Sequence, residues 1–391
     1  MQFVKKYKLL NPILIILLLL ATFSSYSQTN NLVSIGTKDS IHSNLLKQNR
    51  QLLIYTPESM LTDTSLRYPV VYLLDGEMYF HSFTGIVNQL QGSYIPEMIV
   101  VGIVNIERNL DYTPTTDTTS GFKPNGGGEA FTDFLAKELF PFVEKHYPVA
   151  PYRMLVGHSF GGLLSANTLL KHTELFNSYL ILDPGLWWDN MKLIKQSKAI
   201  LSLQKFENKR MYLSMSNSMP AGMKEVKNAL KDTTPATNGI RSIIKFTDIL
   251  EKSKPANFSW KFKYYENENH TSIPLISSYD GLKFIFDFYK RPSFASVTDS
   301  TASILENHFK KISEKMGFTI LPPANDISGM AYRCMVLDKN FDRAFIFLQM
   351  YLRLYPSSPY PYYEMGKFYE AKGDLKKANE YYEQVNLHLP K

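Results

Sequence analysis

The segment Met154-Leu-Val-Gly-His-Ser-Phe-Gly-Gly-Leu-Leu-Ser-Ala-Asn-Thr-Leu-Leu170 decides the fold. Its opening Met154-Leu-Val156 is a short apolar run of the kind buried in a strand, and residues 162–170 read as a helix. Between them lies Gly157-His158-Ser159-Phe160-Gly161, a G-x-S-x-G element. Alone the pattern is weak, because small residues coincide by chance. A strand and a helix on either side of it force the serine onto a sharp, strained turn with Oγ exposed. The glycines are needed there because a Cβ would strike the neighbouring strand and helix. Ser159 is therefore a candidate nucleophile.

Working outward, residues 52–55, 70–74 and 98–104 precede this segment as apolar runs rich in β-branched residues. Residues 179–182, 211–214 and 258–265 continue the series after it. Amphipathic stretches separate several of them. In residues 129–146, Phe131, Phe134, Leu135, Leu139 and Phe142 recur at helical spacing. Strands alternating with helices predict an α/β fold, a mostly parallel sheet covered on both faces.

A serine hydroxyl is a poor nucleophile until a base takes its proton. Of the eight histidines, His158 sits inside the elbow and is expected to point back into the sheet as a packed core residue. His42, His308 and His388 lie outside the alternating region, and His81, His146 and His172 precede or flank helices. His270 follows the last strand-like run, in Tyr264-Tyr-Glu-Asn-Glu-Asn-His-Thr-Ser-Ile-Pro274. Nucleophile first and histidine after the final strand is the chain order that accompanies such an elbow, so His270 is the candidate base. A carboxylate should follow one of the strands between them, to hold the imidazole and stabilise its charged form. Residues 211–218 end without an acid. Asp183, Glu225 and Glu268 remain candidates, and a Ser–His dyad is also open. The oxyanion needs two backbone donors. Phe160 supplies one, and the loop after residues 70–74 the other, through Glu77 or, failing that, Gly76. Trp187-Trp188 at a strand end is either an aromatic wall for substrate or a packed lid. Arg108 and Asp111 read as loop-locking ion-pair residues. The Gly126-Gly-Gly128 loop is not a P-loop, because no Gly-Lys-Ser/Thr follows. No His/Cys/carboxylate set shows metal spacing, so neither cofactor nor metal is expected.

The first residues read as a secretory signal peptide. Lys5, Lys6 and Lys8 precede an apolar run, and Ser25-Tyr-Ser27 offers the small residues of a cleavage site. The run is short of the ~18 residues of a membrane span, so cleavage near Ser27 should leave a periplasmic or secreted protein without stable membrane insertion. Three of the seven net positive charges sit on those lysines. The rest are mixed with acids, which gives no support for nucleic-acid binding. The lone Cys334 cannot form an internal disulfide and is expected buried and inert.

About 360 mature residues suggest two domains. The expected division is residues 1–27 leader, 28–291 catalytic domain, 292–303 a Ser/Thr-rich linker and 304–391 a helical tail. Tyr362, Met365, Gly366, Tyr369, Ala378, Tyr382 and Pro390 fall at tetratricopeptide spacing. A shift of ~34 residues finds Ala331, Tyr332, Met335, Ala344, Leu348 and Pro356, with Asn340-Phe341 aligned to Asp374-Leu375. Two copies are fewer than a free-standing array needs, so the tail is expected to pack on the catalytic domain. There it serves as a structural cap or as a surface for a protein partner.

The chain resembles the esterase family of α/β-hydrolases that includes esterase D (S-formylglutathione hydrolase), enterochelin esterases and feruloyl esterases, over residues 45–290. The resemblance rests on Tyr72-Leu-Leu-Asp-Gly76, Arg108-Asn-Leu-Asp-Tyr-Thr-Pro114, and Gly127-Gly-Glu-Ala-Phe131 with Glu138-Leu-Phe-Pro-Phe142. Gly157 to Gly162, Asp183-Pro-Gly-Leu-Trp-Trp-Asp189 and His270-Thr-Ser-Ile-Pro274 complete it. It is similar above all to the siderophore-esterase-like branch, whose exported members often carry a repeat tail. The resemblance implies an α/β-hydrolase fold and gives Ser159 and His270 the nucleophile and base roles. The acid missing after residues 211–214 is similar to the members that work as dyads. The expected activity is hydrolysis of a small-molecule carboxylic ester through an acyl-enzyme. Acyl transfer from the same site to an alcohol, or an idle hydrolase serving as a scaffold, are the competing readings.

Overall fold

The computed structural model describes residues 33–389 apart from Thr62 and Thr64. The expected leader with its cleavage point near Ser27, and Pro390 of the tail, lie outside the described residues. Within them one sheet is built from β1 (Thr37–Ser43), β2 (Gln48–Tyr55), β3 (Tyr68–Leu73), β4 (Ile99–Ile103), β5 (Val149–His158), β6 (Ser178–Leu182), β7 (Lys209–Ser216) and β8 (Phe258–Tyr265). Their order is β1-β2-β4-β3-β5-β6-β7-β8. From β4 to β8 neighbouring strands are parallel, whereas β2 joins β4, and β1 joins β2, in antiparallel fashion. Strands β3, β4 and β6 are buried along their whole length, which a parallel sheet covered on both faces requires. The polar edge strand β1, Thr-Lys-Asp-Ser-Ile-His-Ser, has no apolar run and so left no mark on the sequence reading.

Nine helices flank or cap the described sheet: α1 (Gly76–Leu90), α2 (Arg108–Tyr112), α3 (Gly128–Phe134), α4 (Phe140–His146), α5 (Phe160–Lys171), α6 (Trp188–Leu203), α7 (Val226–Lys231), α8 (Asn238–Ser253) and α9 (Ile273–Ile285). The one helix expected over residues 129–146 is α3 and α4 joined by a wider π turn, Leu135–Leu139. Pro141, which has no N–H to donate, stands just after that π turn. Successive residues of β3 face opposite ways. Tyr72 enters a core with Leu155, Leu213, Phe131, Phe134, Leu163 and Phe246. Val71 enters a second core with Val156, Leu180, Phe83, Val87 and Leu282, from α1 and α9.

That second core continues into the C-terminal helices α10 (Thr301–Met316), α11 (Ala324–Tyr332), α12 (Phe341–Leu354), α13 (Tyr360–Ala371) and α14 (Leu375–Leu387). Leu305, Phe309, Cys334, Phe347, Met365 and Phe368 belong to it, and Tyr289 meets Phe309 edge-on at 5.7 Å. Two helix starts in this region are capped alike. The side chain of Asn340 accepts from the Arg343 amide at 2.9 Å, and that of Asp374 from the Lys377 amide at 3.1 Å, satisfying N–H groups that a helix start leaves open. No helix among the described residues is long and apolar enough to cross a membrane.

Candidate active site

Three parallel strands run out into left-handed corners at the same edge of the sheet. Asp75 beyond β3, Ser159 after β5 and Asp183 after β6 have φ of 55°, 58° and 42°. Such conformations cost about 1–3 kcal/mol per non-glycine residue, so their surroundings must hold them. The Ser159 amide donates to the Leu182 carbonyl at 3.0 Å, and the Ser159 carbonyl accepts from Leu163 and Gly185, each at 2.9 Å. A Cβ on Gly157 would stand 2.2 Å from the Gly161 carbonyl oxygen, so this turn admits only glycine there. The result fixes Ser159 at the head of α5, with the Phe160 amide in the first turn, where N–H groups have no intrahelical acceptor.

His270 lies between β8 and α9. Its Nδ1–H donates to Asp183 Oδ2 at 2.6 Å. Asp183 is buried, while the His270 side chain is 47% exposed. The Ser216 amide donates to Asp183 Oδ1 at 2.8 Å, and the Ser216 hydroxyl to Oδ2 at 2.6 Å. Ser218 Oγ stands 2.6 Å from Ser216 Oγ. Burial pushes the Asp183 carboxyl up, but the hydrogen bonds from His270 and Ser216 outweigh it and hold the group below its ordinary range. The carboxylate is thus ionised and aimed at the imidazole. The other two acids are elsewhere. Glu225 pairs with Lys227 at the start of α7, and Glu268 accepts from Ser272 Oγ at 2.6 Å within its own loop.

Ser159, Asp183 and His270 open together on a cavity of about 380 Å³. Arg108 lines it as well, and explains how the corner before α1 is tied to the serine turn. Its guanidinium donates to both Asp75 carboxylate oxygens, at 2.7 and 3.0 Å, and to the His158 carbonyl at 3.1 Å. Gly76 and Glu77 begin α1 beside that corner, and the Glu77 carboxylate accepts from the Asn105 amide at 3.1 Å and side chain at 2.8 Å. Asp111 forms its ion pair with Arg50 at 2.7 Å, both buried, so Arg108 and Asp111 lock separate contacts.

Phe122, Phe160 and Trp187 make one wall of the cavity, and Ile240 and Ile243 of α8 face it. The Phe122 ring meets Phe160 at 5.3 Å and Trp187 at 6.2 Å. Trp188 is instead buried behind Phe160, its indole N–H donating to the Thr115 carbonyl at 3.0 Å. Phe122, Ser216 and Ser218 carry no site signal in the sequence, and Arg108 reads there as a loop-locking residue, not as a lining of the cavity. Phe122 sits in a Thr/Ser/Gly-rich loop without periodicity, and the two serines matter only because β7 lies beside β6. His158 is buried, with Nδ1 2.9 Å from Tyr79 OH. Burial, and then the nearby His270, push its imidazole down to about 3.

His158, Asp183 and His270 bring metal-type donor atoms within 4.8 Å of one another, but Asp183 and His270 use theirs on each other. That geometry suits an oriented imidazole.

The chain matches the family described as "Putative esterase" over residues 43–278. The ferri-bacillibactin esterase BesA of Bacillus subtilis (strain 168) is 30% identical over 182 residues, 41% of this chain and 63% of that protein. The chain thus spans under two thirds of that relative's length. A siderophore triacetylfusarinine C esterase of Aspergillus fumigatus is 23% identical over 242 residues, 56% of this chain and 82% of the relative. Among solved structures, an IroE-like serine hydrolase from Shewanella oneidensis is 26% identical with a TM-score of 0.66, covering 82% of this chain and 99% of its own. An uncharacterised protein from Capnocytophaga ochracea, 19% identical, shares the fold with a TM-score of 0.58 over 89% of this chain and 93% of its own, a span that takes in C-terminal helices. By its sheet order and these matches, the chain belongs to the esterase family of α/β-hydrolases.

Proposed function

We propose that the chain is an exported serine carboxylic-ester hydrolase that works through an acyl-enzyme on Ser159, with siderophore-type esters as substrates. The observation that carries the reading is the ionised, buried Asp183 bonded to His270 at the mouth of the cavity that also holds Ser159. His270 Nε2 takes the Ser159 proton as Oγ attacks the ester carbonyl carbon. Asp183 stabilises the imidazolium that forms. The negative charge on the carbonyl oxygen falls to the Phe160 amide and to Glu77 or Gly76 at the start of α1. Return of the proton from His270 to the leaving oxygen expels the alcohol, and water repeats the sequence to release the acid.

Two relatives, a ferri-bacillibactin esterase and a siderophore triacetylfusarinine C esterase, support the substrate class. An aromatic wall with an arginine beside it is compatible with it. The basic and apolar leader supports export. The Gly366 contact with Tyr382, where a Cβ would stand 2.3 Å from the ring, supports reading the last two helices as a tetratricopeptide-like pair.

The test is pre-steady-state hydrolysis of a p-nitrophenyl ester by the mature protein, followed by a panel of siderophore, feruloyl, acetyl-sugar and short acyl esters. An acyl-enzyme gives a burst of about one p-nitrophenol per protein before slower turnover, and siderophore esters should give the highest kcat/KM. Absence of both burst and turnover across the panel would overturn the reading. A transfer product exceeding free acid when an alcohol is added would convert it to an acyltransferase.

A further inference from the structure

The candidate base is poorly held by its own surroundings. His270 stands on a connection between β8 and α9, nearly half of its side chain faces solvent, and among the described residues its ring nitrogens have one hydrogen-bond partner, Asp183. A single hydrogen bond fixes the direction of Nδ1 but leaves the ring free to roll about that bond. Nε2 must face Ser159 Oγ, so the roll matters. Among the described residues the ring that touches His270 is His158, with centroids 4.4 Å apart and planes at 40°.

We propose that His158 is a positioning residue for ester hydrolysis, its ring the floor that sets the plane of His270 so that Nε2 meets the nucleophile. The proposal rests on the assignment of His270 as base to Ser159. Three observations support it. His158 belongs to β5 itself, one residue before Ser159, so nucleophile and floor share one rigid strand end. Its ring is fixed from behind by Tyr79 of α1, through the 2.9 Å contact at Nδ1 and an edge-on ring contact at 5.6 Å. Its carbonyl is held by Arg108 of α2, so three elements converge on it. The groups facing it are Tyr79, Arg108, Asp183 and His270. A floor under a base that becomes a cation must not itself be charged, and burial keeps the His158 imidazole neutral. The requirement is thus a neutral planar ring, which separates this role from proton transfer.

Two replacements divide ring from polarity. His158→Asn keeps a polar partner for Tyr79 and removes the ring. The pair Tyr79→Phe with His158→Phe keeps a ring and removes both polar groups together, which is far gentler than orphaning one. Misplacement of a reacting group by ~1 Å can cost about a hundredfold. The expected result is a ten- to hundredfold fall in kcat for H158N at unchanged KM, matched by an equal fall in the rate of fluorophosphonate capture. The Phe pair should retain kcat within about threefold. Wild-type kcat in H158N, or a Phe pair that folds and is as slow as Ser159→Ala, would overturn the proposal. Should H158N not fold, His158→Gln takes its place with the same expectations. Ser159→Ala runs alongside: labelling that persists in it sinks the nucleophile assignment, whatever the His158 variants do.

Discussion

Replacing Ser159 by alanine removes the attacking atom while leaving the buried surroundings of the turn in place. Esterase activity should fall by up to about 10⁶-fold with the melting temperature close to unchanged. His270→Ala should be as damaging, and the double variant no worse than either, because groups acting as one unit are strongly non-additive. Asp183→Asn leaves a buried amide facing His270 and favours the wrong tautomer. Turnover should drop about 10⁴-fold, whereas Glu225→Gln and Glu268→Gln should stay within about twofold. Steady-state kinetics on one short ester separates the three. Retained activity in Asp183→Asn would point back to a dyad. The candidate serine and histidine were legible because each is marked by a linear signal, an elbow motif and a position after the last strand. Asp183 stayed one of three acids because what singles it out is lateral. It ends β6, Ser216 ends β7, and His270 follows β8, and only the adjacency of those strands brings them together. His158 was legible as buried, but its contact with His270 depends on the same adjacency.

At the scale of elements, the serine turn and α5 are fastened to their neighbours by close approach and by charge. Gly157→Ala would force a methyl group into the Gly161 carbonyl and should cost about 2–3 kcal/mol in urea unfolding, with activity lost in parallel. The far end of α5 is tied to α3 through His172 and Glu129, 2.8 Å apart. The hydrogen bond from His172, larger than the burial that opposes it, lowers the Glu129 carboxyl to about 2. Glu129 in turn raises the His172 imidazole. A lowered carboxyl stabilises above its ordinary value of about 4.3 and loses that contribution as pH falls towards its folded value. A raised imidazole stabilises below its ordinary value of about 6.5 and loses it as pH rises through its folded value. The pair should therefore help most at about pH 5–6. Glu129→Gln should lower the unfolding free energy there by a small amount, about 1 kcal/mol or less for a half-exposed pair, and the difference should shrink at about pH 9. An equal difference at both pH values would show that charge is not the cause. The helix over residues 129–146 was visible from its apolar spacing, yet its π turn was not, since one extra residue in a turn barely disturbs that spacing.

The molecule as a whole is organised by the core that α1 and α9 share with the C-terminal helices. Removing everything after Arg291 would strip Leu305, Phe309 and Ile312 from Phe286 and Tyr289 and expose a large apolar patch. Soluble yield and thermal midpoint should fall sharply, while the fraction that stays folded keeps its chemistry. A truncated enzyme equally soluble and heat-stable would mean the shared core contributes little. The sequence pattern showed a helical tail and the need to bury its aromatic face, but not which side of the sheet receives it, because α/β packing offers two apolar faces of similar composition. The central claim, that ester hydrolysis runs through Ser159 primed by His270 and Asp183, is tested most directly by mapping the covalent adduct. The mature protein is treated with a fluorophosphonate and its peptides are sequenced by mass spectrometry. The account predicts one adduct per chain, on Ser159, formed far more slowly in His270→Ala and Asp183→Asn. An adduct on any other residue, or labelling indifferent to those two substitutions, would contradict it.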